Sequence, residues 1–307
     1  MFEKSDIFNY AKSMEVETLL HLPVSIDVKR DFVVILKERL NNFVNQLAIP
    51  FLNERGLQED SIHISYLKTL KEGIVTALKT QRYESFKRTL DDVKFMEIAP
   101  KKELTSDMLL FRSRPGYFQE KEDFYHLPFD KIEKSKCGRF NTNGEITWYL
   151  GESRDVCWLE MNNVDNVIST MKLNLKKGEK SLSLVDITAE NLYSSNDYKL
   201  ECEIVLFPLV LACYCIAEGD DADVMYLVPQ FLSRYIREKR KEYNISGIQY
   251  FTVRNEGLNP KDYTYKNVGL FPEKDETNNC IYDMNLMNKF KFNKIYYKTH
   301  KSNYLYL

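Results

Sequence analysis

The sequence changes in character near residue 100, and this change constrains the fold more than any other feature. From Ser5 to about Lys94, apolar residues recur at three- and four-residue spacing and glycine is scarce, which is typical of amphipathic helices. Beyond this point, short β-rich runs alternate with turns and a few helices. We therefore expect an all-α helical domain over residues 1–100, a linker in KFMEIAPKKELTSD, and an α+β domain over residues 101–307.

Individual elements of the second part can be placed from their patterns. Two helices are predicted, over 199–217 and 225–242, and Pro229 fits the first turn of the second helix, where its missing N–H costs nothing. The predicted strands are MLLFRSR, ITWYL, VISTMKLNL, LSLVDIT, ISGIQYFTV, YKNVGLF and KFNKIYYK.

Composition limits the classes of function. The net charge of −2 gives no sign of a field that would attract nucleic acid or a membrane. The six cysteines form no C-x-x-C pair or zinc-like spacing and are predicted to be reduced and mostly buried. The N-terminus is charged where a signal peptide is apolar, and the apolar run over 204–217 is too short and proline-broken to span a bilayer. We expect a cytoplasmic protein.

The common catalytic motifs for nucleotide binding, serine hydrolysis and zinc binding are absent, and the chain has only four histidines. The run from Lys136 to Met161 contains more candidate functional residues. Gly144 ends a polar turn, a strand follows, and Ser153 is placed to cap a short helix. On that helix Glu160 shares a face with Val156, so its carboxylate is expected to point inward and to need a partner.

Two interpretations of this carboxylate remain open at this stage. Glu160 and one of Arg112, Arg114 or Arg139 can form a buried ion pair that only fixes packing. Alternatively, these groups belong to a binding site, because Arg112 and Arg114 alternate onto one face of a strand and require carboxylates or a bound phosphate. Tyr149, taken alone, is typical of a core aromatic residue.

Several elements, in order, resemble the RES domain, a family named for an arginine, a glutamate and a serine and found in bacterial toxins of RES–Xre toxin–antitoxin systems. LLFRSR matches the element with the first arginine, Arg112, and CGRFN matches the element with the second, Arg139, followed by Asn141. WYLGESRDVCWLE matches the unit that carries a tyrosine and a glutamate, Tyr149 and Glu160.

The resemblance covers about residues 108–272 and ends in SGIQYFTV and NVGLF. Where the family has its serine, this chain has Thr252, which keeps the hydroxyl but adds a methyl group and restricts χ1. A hydrogen-bonding role for Thr252 is therefore compatible with the change, with an altered fit to the ligand.

The resemblance implies an ADP-ribosyltransferase-like fold, similar to that of diphtheria toxin, and an activity that cleaves the nicotinamide–ribose bond of NAD+. In that reading Glu160, Arg112 and Tyr149 are the catalytic residues. Arg139, Thr252 and Asn141 bind NAD+, which is a substrate, and neither a cofactor nor a metal is needed. The leaving group is neutral, so the reaction needs a stabilised oxocarbenium ion rather than a general acid.

Alternatives follow from the same resemblance. The pocket can transfer ADP-ribose to a protein or nucleic acid, or it can be an inactive NAD-binding module in which Thr252 marks decay of the site.

The helical segment 1–100 can simply stabilise the second domain, or it can regulate it by sensing a trigger, by forming a homo-oligomer or by binding an inhibitor. The resemblance also implies an Xre-type antitoxin as a partner.

Overall fold

The computed structural model describes residues 7–22, 24–25, 31–161, 167–193, 197–216, 222–253, 265–275 and 280–298. The chain groups into two compact units. The first takes in the chain up to Pro100 together with Asp186–Ile236, and the second takes in Lys101–Val185 with most of the chain after Ile236. The sequence-based division into domains 1–100 and 101–307 stays a prediction.

Helices dominate the first unit, as their amphipathic sequences predict. Side chains cap the starts of two of them: Asp31 accepts a hydrogen bond from the backbone N–H of Val33 at 2.7 Å at the start of α2 (Phe32–Asn42), and Ser61 caps the longest N-terminal helix. The helices are α1 (Ile7–Ser13), α2 (Phe32–Asn42) continued by a wide π-helical turn (Phe43–Ala48), α3 (Ile49–Glu54), α4 (Ile62–Thr80), α5 (Tyr83–Asp92), α6 (Phe95–Ile98) and α8 (Asp197–Cys213). Val24–Ser25 (β1) and Cys215–Ile216 (β7) form a short parallel pair.

The apolar helix α8 is the centre of the first unit. Every residue from Cys202 to Cys213 is buried, so this part of the helix has no solvent face, and a helix that is apolar all round must be covered by others. The amphipathic helix α4 packs along it, and the rings of Phe43 and Phe207 lie 4.8 Å apart. This packing explains why α8 groups with the N-terminal helices.

The predicted place of Pro229 is wrong. The last long helix, α9 (Ala222–Tyr243), begins earlier than its apolar periodicity indicates, and Pro229 lies in its interior, as Pro208 does in α8. The predicted linker near residue 100 is also structured, because it contains α6 and the strand β2 (Lys101–Leu104). Short polar strands such as KKEL lack the alternation that would reveal them.

The second unit is built on a sheet, and each predicted strand is present. Within the described residues the sheet has eight strands in the order β10-β5-β3-β4-β9-β8-β6-β2. Helices α7 (Arg154–Glu160) and α10 (Met284–Met287) accompany it. The strands are β2 (Lys101–Leu104), β3 (Leu110–Pro115), β4 (Trp148–Gly151), β5 (Ile168–Leu175), β6 (Leu182–Asp186), β8 (Ile245–Phe251), β9 (Lys266–Leu270) and β10 (Phe290–Lys298).

One face of this sheet forms the core of the second unit. Leu150, Leu173 and Val268 lie on it and are almost fully buried. Trp148 is also fully buried, and its indole Nε1 donates to the carbonyl of Phe124 at 3.0 Å, so its one polar atom is satisfied. The mixture of helices with this sheet is compatible with the predicted α+β class, while the ADP-ribosyltransferase-like fold stays a prediction.

Strands β3 and β4 are neighbours in the sheet but are scarcely hydrogen-bonded to each other. They pair only at Phe111 and Gly151, whereas β3 pairs with β5 along its whole length. Backbone groups on the facing edges therefore need other partners. This gap lies beside Arg112 and Tyr149.

At one edge of the sheet, β10 carries features that discourage further strand pairing. Its register with β5 shifts between Phe292 and Lys294, which is a bulge, and its side chains include Lys291, Lys294 and Lys298. Bulges and lysines are common devices on exposed sheet edges. In the described parts of the chain, no helix is long and apolar enough to cross a membrane.

The close approach of β8 and β9 gives a stability prediction. A Cβ at Gly247 would lie 2.2 Å from the carbonyl oxygen of Gly269, so Gly247→Ala must push the two strands apart. We expect a loss of about 2 kcal/mol or more in the free energy of unfolding, measured by urea denaturation. Gly178→Ala is the comparison, because that site has open space but a φ of +89°, and its cost should be only about 1 kcal/mol. An equal or smaller loss for Gly247→Ala would contradict the contact.

Candidate functional site

The loop that precedes β4 is organised by Asn141. This side chain is buried, and its amide Nδ2 donates to the carbonyl oxygens of Lys136 at 2.9 Å and Thr142 at 3.2 Å. Its Oδ1 accepts from the hydroxyl of Tyr149 at 2.8 Å. Asn141 was predicted to bind NAD+, and the structure places its amide inside the loop, where both ends are engaged in holding the chain in shape.

Gly138 is required by this arrangement. A Cβ at that position would lie 2.5 Å from Oδ1 of Asn141 and 3.1 Å from the hydroxyl oxygen of Tyr149. Any side chain would therefore displace the hydrogen bond between them. The glycine of the CGRFN element is there because a loop must pass closely over a tyrosine hydroxyl.

Tyr149 is fixed at both ends. Its hydroxyl donates to Asn141 and accepts from the backbone N–H of Phe140 at 3.1 Å, while its carbonyl oxygen accepts from Arg112. Burial raises the pKa of Tyr149 to about 12, so its hydroxyl stays protonated at neutral pH. It can orient a ligand with its ring, but it is not poised to act as a base.

Arg112 is an incompletely satisfied cation. Its Nη1 donates to the carbonyl of Tyr149 at 2.9 Å, and its Nε is buried without a hydrogen-bond partner. Among the described residues no carboxylate forms an ion pair with it. Burial, with a contribution from the charge of Arg114, lowers the pKa of Arg112 to about 10, so it remains charged at neutral pH. Among the described residues, Glu160 forms no ion pair with any of its three predicted partners, Arg112, Arg114 or Arg139.

Glu160 lies at the end of α7 and points outward, so the prediction of an inward carboxylate is wrong. Ser153 caps the helix as predicted, accepting from Val156 N–H at 3.2 Å, and Val156 is buried. The helix has only two turns, however, and its last residue projects past the face that packs on the sheet. Glu160 is exposed, and one carboxylate oxygen accepts from Nδ2 of Asn267 at 2.8 Å.

The sheet register brings Tyr149 and the anchor of Glu160 close together. Tyr149 pairs with Gly269, and Gly151 pairs with Asn267, so Tyr149 and Asn267 are diagonal neighbours on one face. Diagonal neighbours in a sheet are typically about 7–8 Å apart. Phe111 pairs with Gly151 and so shares the face of Tyr149 and Asn267, whereas Arg112 lies on the opposite face of the sheet. Its contact with Tyr149 is through the backbone carbonyl oxygen.

Cys157 lies beneath this group and is chemically inert. Its Sγ donates to the carbonyl of Phe111 at 3.1 Å, and a Cβ on Gly151 would come within 2.7 Å of the sulfur. Burial raises the pKa of the Cys157 thiol to about 12. A thiol with this pKa is not a nucleophile at neutral pH.

The two remaining predicted residues lie in the loop before β4 and directly after β8. Arg139 is half-buried in the loop, and its positive charge acts on Tyr149, whose pKa it lowers slightly against the larger effect of burial. Thr252 is buried directly after β8, and its backbone N–H donates to the carbonyl of Tyr265 at 3.0 Å. The structure therefore connects Arg112 to the backbone of Tyr149 and Arg139 to the Tyr149 hydroxyl by its charge, while Asn267, which holds Glu160, is the diagonal neighbour of Tyr149.

Sequence reasoning missed two residues of this region. Asn267, in the quoted NVGLF element, holds Glu160, and an asparagine inside a β-rich run is a signal that could have indicated a side-chain role. Arg237 donates to the carbonyl of Ile146 at 2.9 Å and to Thr147 Oγ1 at 2.6 Å, which supports the start of β4. Nothing in the helical pattern of α9 distinguishes this arginine from its basic neighbours.

Comparison with known proteins gives one sequence similarity. No family model matches the chain, and no solved structure matches it. The chain is 27% identical over 169 residues to a Bacillus subtilis (strain 168) protein named "Putative toxin YopC". The match covers 49% of this chain and 37% of that protein, so the chain spans well under two thirds of its relative. This similarity is consistent with the predicted toxin role; membership of the RES family and activity on NAD+ stay predictions.

His126, between β3 and β4, is a buried structural histidine. Its Nε2 accepts from the backbone N–H of Asp283 at 2.8 Å, so the proton lies on Nδ1, which is 2.6 Å from the carbonyl of Leu127. The carboxylate of Asp283 in turn accepts from the N–H groups of Leu286 and Glu273. One neutral imidazole thus supports the start of α10 and the segment after β9.

This arrangement makes stability dependent on pH. Burial lowers the pKa of His126 below its ordinary value of 6.5, so the unfolded chain takes up a proton before the folded chain does. We expect full stability above about pH 6.5 and a decline, at most about 1.4 kcal/mol per pH unit, as the pH falls from there to the lowered pKa. Urea denaturation between pH 8 and 5 measures this.

His126→Gln keeps an acceptor near the Nε2 position without a titrating group, so it should flatten the decline. His63→Gln, on α4, is the control and should leave the slope unchanged. An identical slope for His126→Gln and the wild type would contradict this assignment.

Proposed function

We propose that the chain is an NAD+ glycohydrolase that acts as a toxin or defence enzyme by depleting NAD+. The observation that carries the proposal is Arg112. A guanidinium with a buried Nε, and without a carboxylate partner among the described residues, calls for an anionic ligand. The similarity to a protein named as a toxin supports the toxin part of the proposal.

The diphosphate of a dinucleotide fits this requirement. The planar fork of arginine matches phosphate oxygens, and the N–H groups of Arg112 that do not bond to Tyr149 are available for them. Arg139, in the loop before β4, brings a second positive charge close to Tyr149. Together they would neutralise the two negative charges of the diphosphate.

Glu160 would act at the other end of the ligand. Its exposed carboxylate can accept a hydrogen bond from a ribose hydroxyl and face the positive charge that develops at the anomeric carbon. The bond between that carbon and the nicotinamide nitrogen breaks, and its electron pair leaves with nicotinamide. Water then forms the new C–O bond and releases a proton, which gives ADP-ribose.

The first test uses Glu160→Gln, which removes the charge and keeps the shape. We expect the pure wild-type protein to release nicotinamide from NAD+, and kcat of the variant to fall about 100-fold or more, because the carboxylate stabilises the transition state. Glu179→Gln, at an exposed turn, is the matched control and should retain wild-type activity. Absence of turnover by the wild type, or equal turnover by Glu160→Gln, would overturn the proposal.

The same assay separates the related activities. Radiolabelled NAD+ that yields only free ADP-ribose indicates hydrolysis. Label that remains on a protein or nucleic acid in a cell lysate indicates ADP-ribose transfer instead. Binding of NAD+ without release of nicotinamide indicates an inactive NAD-binding module.

The second test addresses Arg112. Arg112→Lys keeps the positive charge but cannot bond to both the carbonyl of Tyr149 and a phosphate with a rigid fork, so we expect KM for NAD+ to rise about tenfold. Arg240→Lys is the matched control, because Arg240 already forms an ion pair with Glu273 at 2.9 Å. Its KM should stay at the wild-type value. An unchanged KM for Arg112→Lys would contradict a role in holding the diphosphate.

A further inference from the structure

Glu160 is held by a neutral partner. The described hydrogen bond to its carboxylate comes from Nδ2 of Asn267 at 2.8 Å, and no lysine, arginine or histidine of the described residues forms an ion pair with it. An arginine at this place would have neutralised the carboxylate. An amide donor orients the carboxylate and leaves its negative charge in place.

Asn267 is an unusual residue for its position. It lies in β9 between two other strands, paired with Gly151 on one side and Tyr250 on the other, and it is only 4% exposed. Asparagine is disfavoured in strands, and a buried amide must be hydrogen-bonded to avoid a penalty. Among the described residues, the side chain of Asn267 forms a hydrogen bond with Glu160 alone. This bond of 2.8 Å explains why an asparagine occupies this buried strand position.

The contact restricts a side chain that would otherwise move freely. Glu160 is the exposed last residue of a two-turn helix, and a long exposed side chain has several rotamers available to it. Asn267 belongs to a central strand, which is among the most rigid parts of a fold. Fixing one carboxylate oxygen to that strand sets the direction in which the other oxygen points.

We propose that Asn267 is the positioning residue of Glu160: by donating a hydrogen bond to one carboxylate oxygen it aims the other at a ribose hydroxyl of the substrate. This inference rests on the proposed cleavage of NAD+. It assigns Asn267 an effect on the chemical step rather than on the affinity for the dinucleotide, which depends on Arg112 and Arg139.

Two substitutions distinguish positioning from packing. Asn267→Ala removes the donor and the volume, whereas Asn267→Asp keeps the shape but removes the donor and places a second carboxylate against Glu160. If the donated hydrogen bond matters, both variants lose about 10- to 100-fold in kcat with little change in KM, and Asn267→Asp is at least as impaired as Asn267→Ala. If Asn267 only fills space, the isosteric Asn267→Asp is the milder variant, and the inference is overturned.

A pH profile gives an independent readout. When the facing carboxylates in Asn267→Asp share one proton, that pair regains a donor and an acceptor, so its activity relative to the wild type should recover as the pH falls. Asn267→Ala has no such group and should show no recovery. The absence of recovery in Asn267→Asp, with thermal unfolding confirming that both variants are folded, would overturn the inference.

The controls separate this inference from the proposed function. Asn174→Ala removes a strand asparagine that bonds to the backbone of Ser106 and Leu175 away from Glu160, and it should leave kcat unchanged. Turnover by the wild type with equal kcat in both Asn267 variants overturns the role of Asn267 alone. If the wild type does not turn over NAD+, the proposed function is overturned, and with it the role of Asn267 in that function.

Discussion

The hydrogen bond from Arg112 to the carbonyl of Tyr149 joins two strands that have almost no ladder between them. Because β3 and β4 pair at one residue only, a side chain occupies the place of a backbone donor. This leaves the rest of the guanidinium beside a gap in the sheet rather than in a closed ion pair. The ring of Tyr149 and the loop that Asn141 organises depend on β4, which on its other side pairs with β9, the strand that carries Asn267 as the anchor of Glu160.

Seven of the eight strands of the second unit could be predicted because their signals are local, whereas the short polar β2 has no such signal. The strands have alternating or continuous apolar runs, and the cap at Ser153 is readable from a few residues. The separation of the sheet into eight strands in a given order could not be predicted, because pairing depends on residues far apart in the sequence. The helices that cover α8 could not be predicted either, because its apolar surface indicates burial but not which helices pack on it.

The candidate site was partly predictable, and its errors have physical causes. The family resemblance predicts Arg112 and Tyr149 as site residues, and the two are in contact through the carbonyl oxygen of Tyr149. The inward direction of Glu160 failed because helical periodicity describes a helix of several turns, and α7 ends at that residue. Its partner is an amide on a distant strand rather than an arginine, and no spacing rule links residues 160 and 267.

The bulge and the lysines of β10 bear on how copies of this chain can meet. An outer strand with an interrupted ladder and a row of positive charges repels the same strand of a second molecule. Continuous sheets across two copies through β10 are therefore disfavoured, and fibrous aggregates that grow by edge-to-edge pairing are disfavoured for the same reason. Self-association of this chain, where it occurs, has to use a surface other than β10.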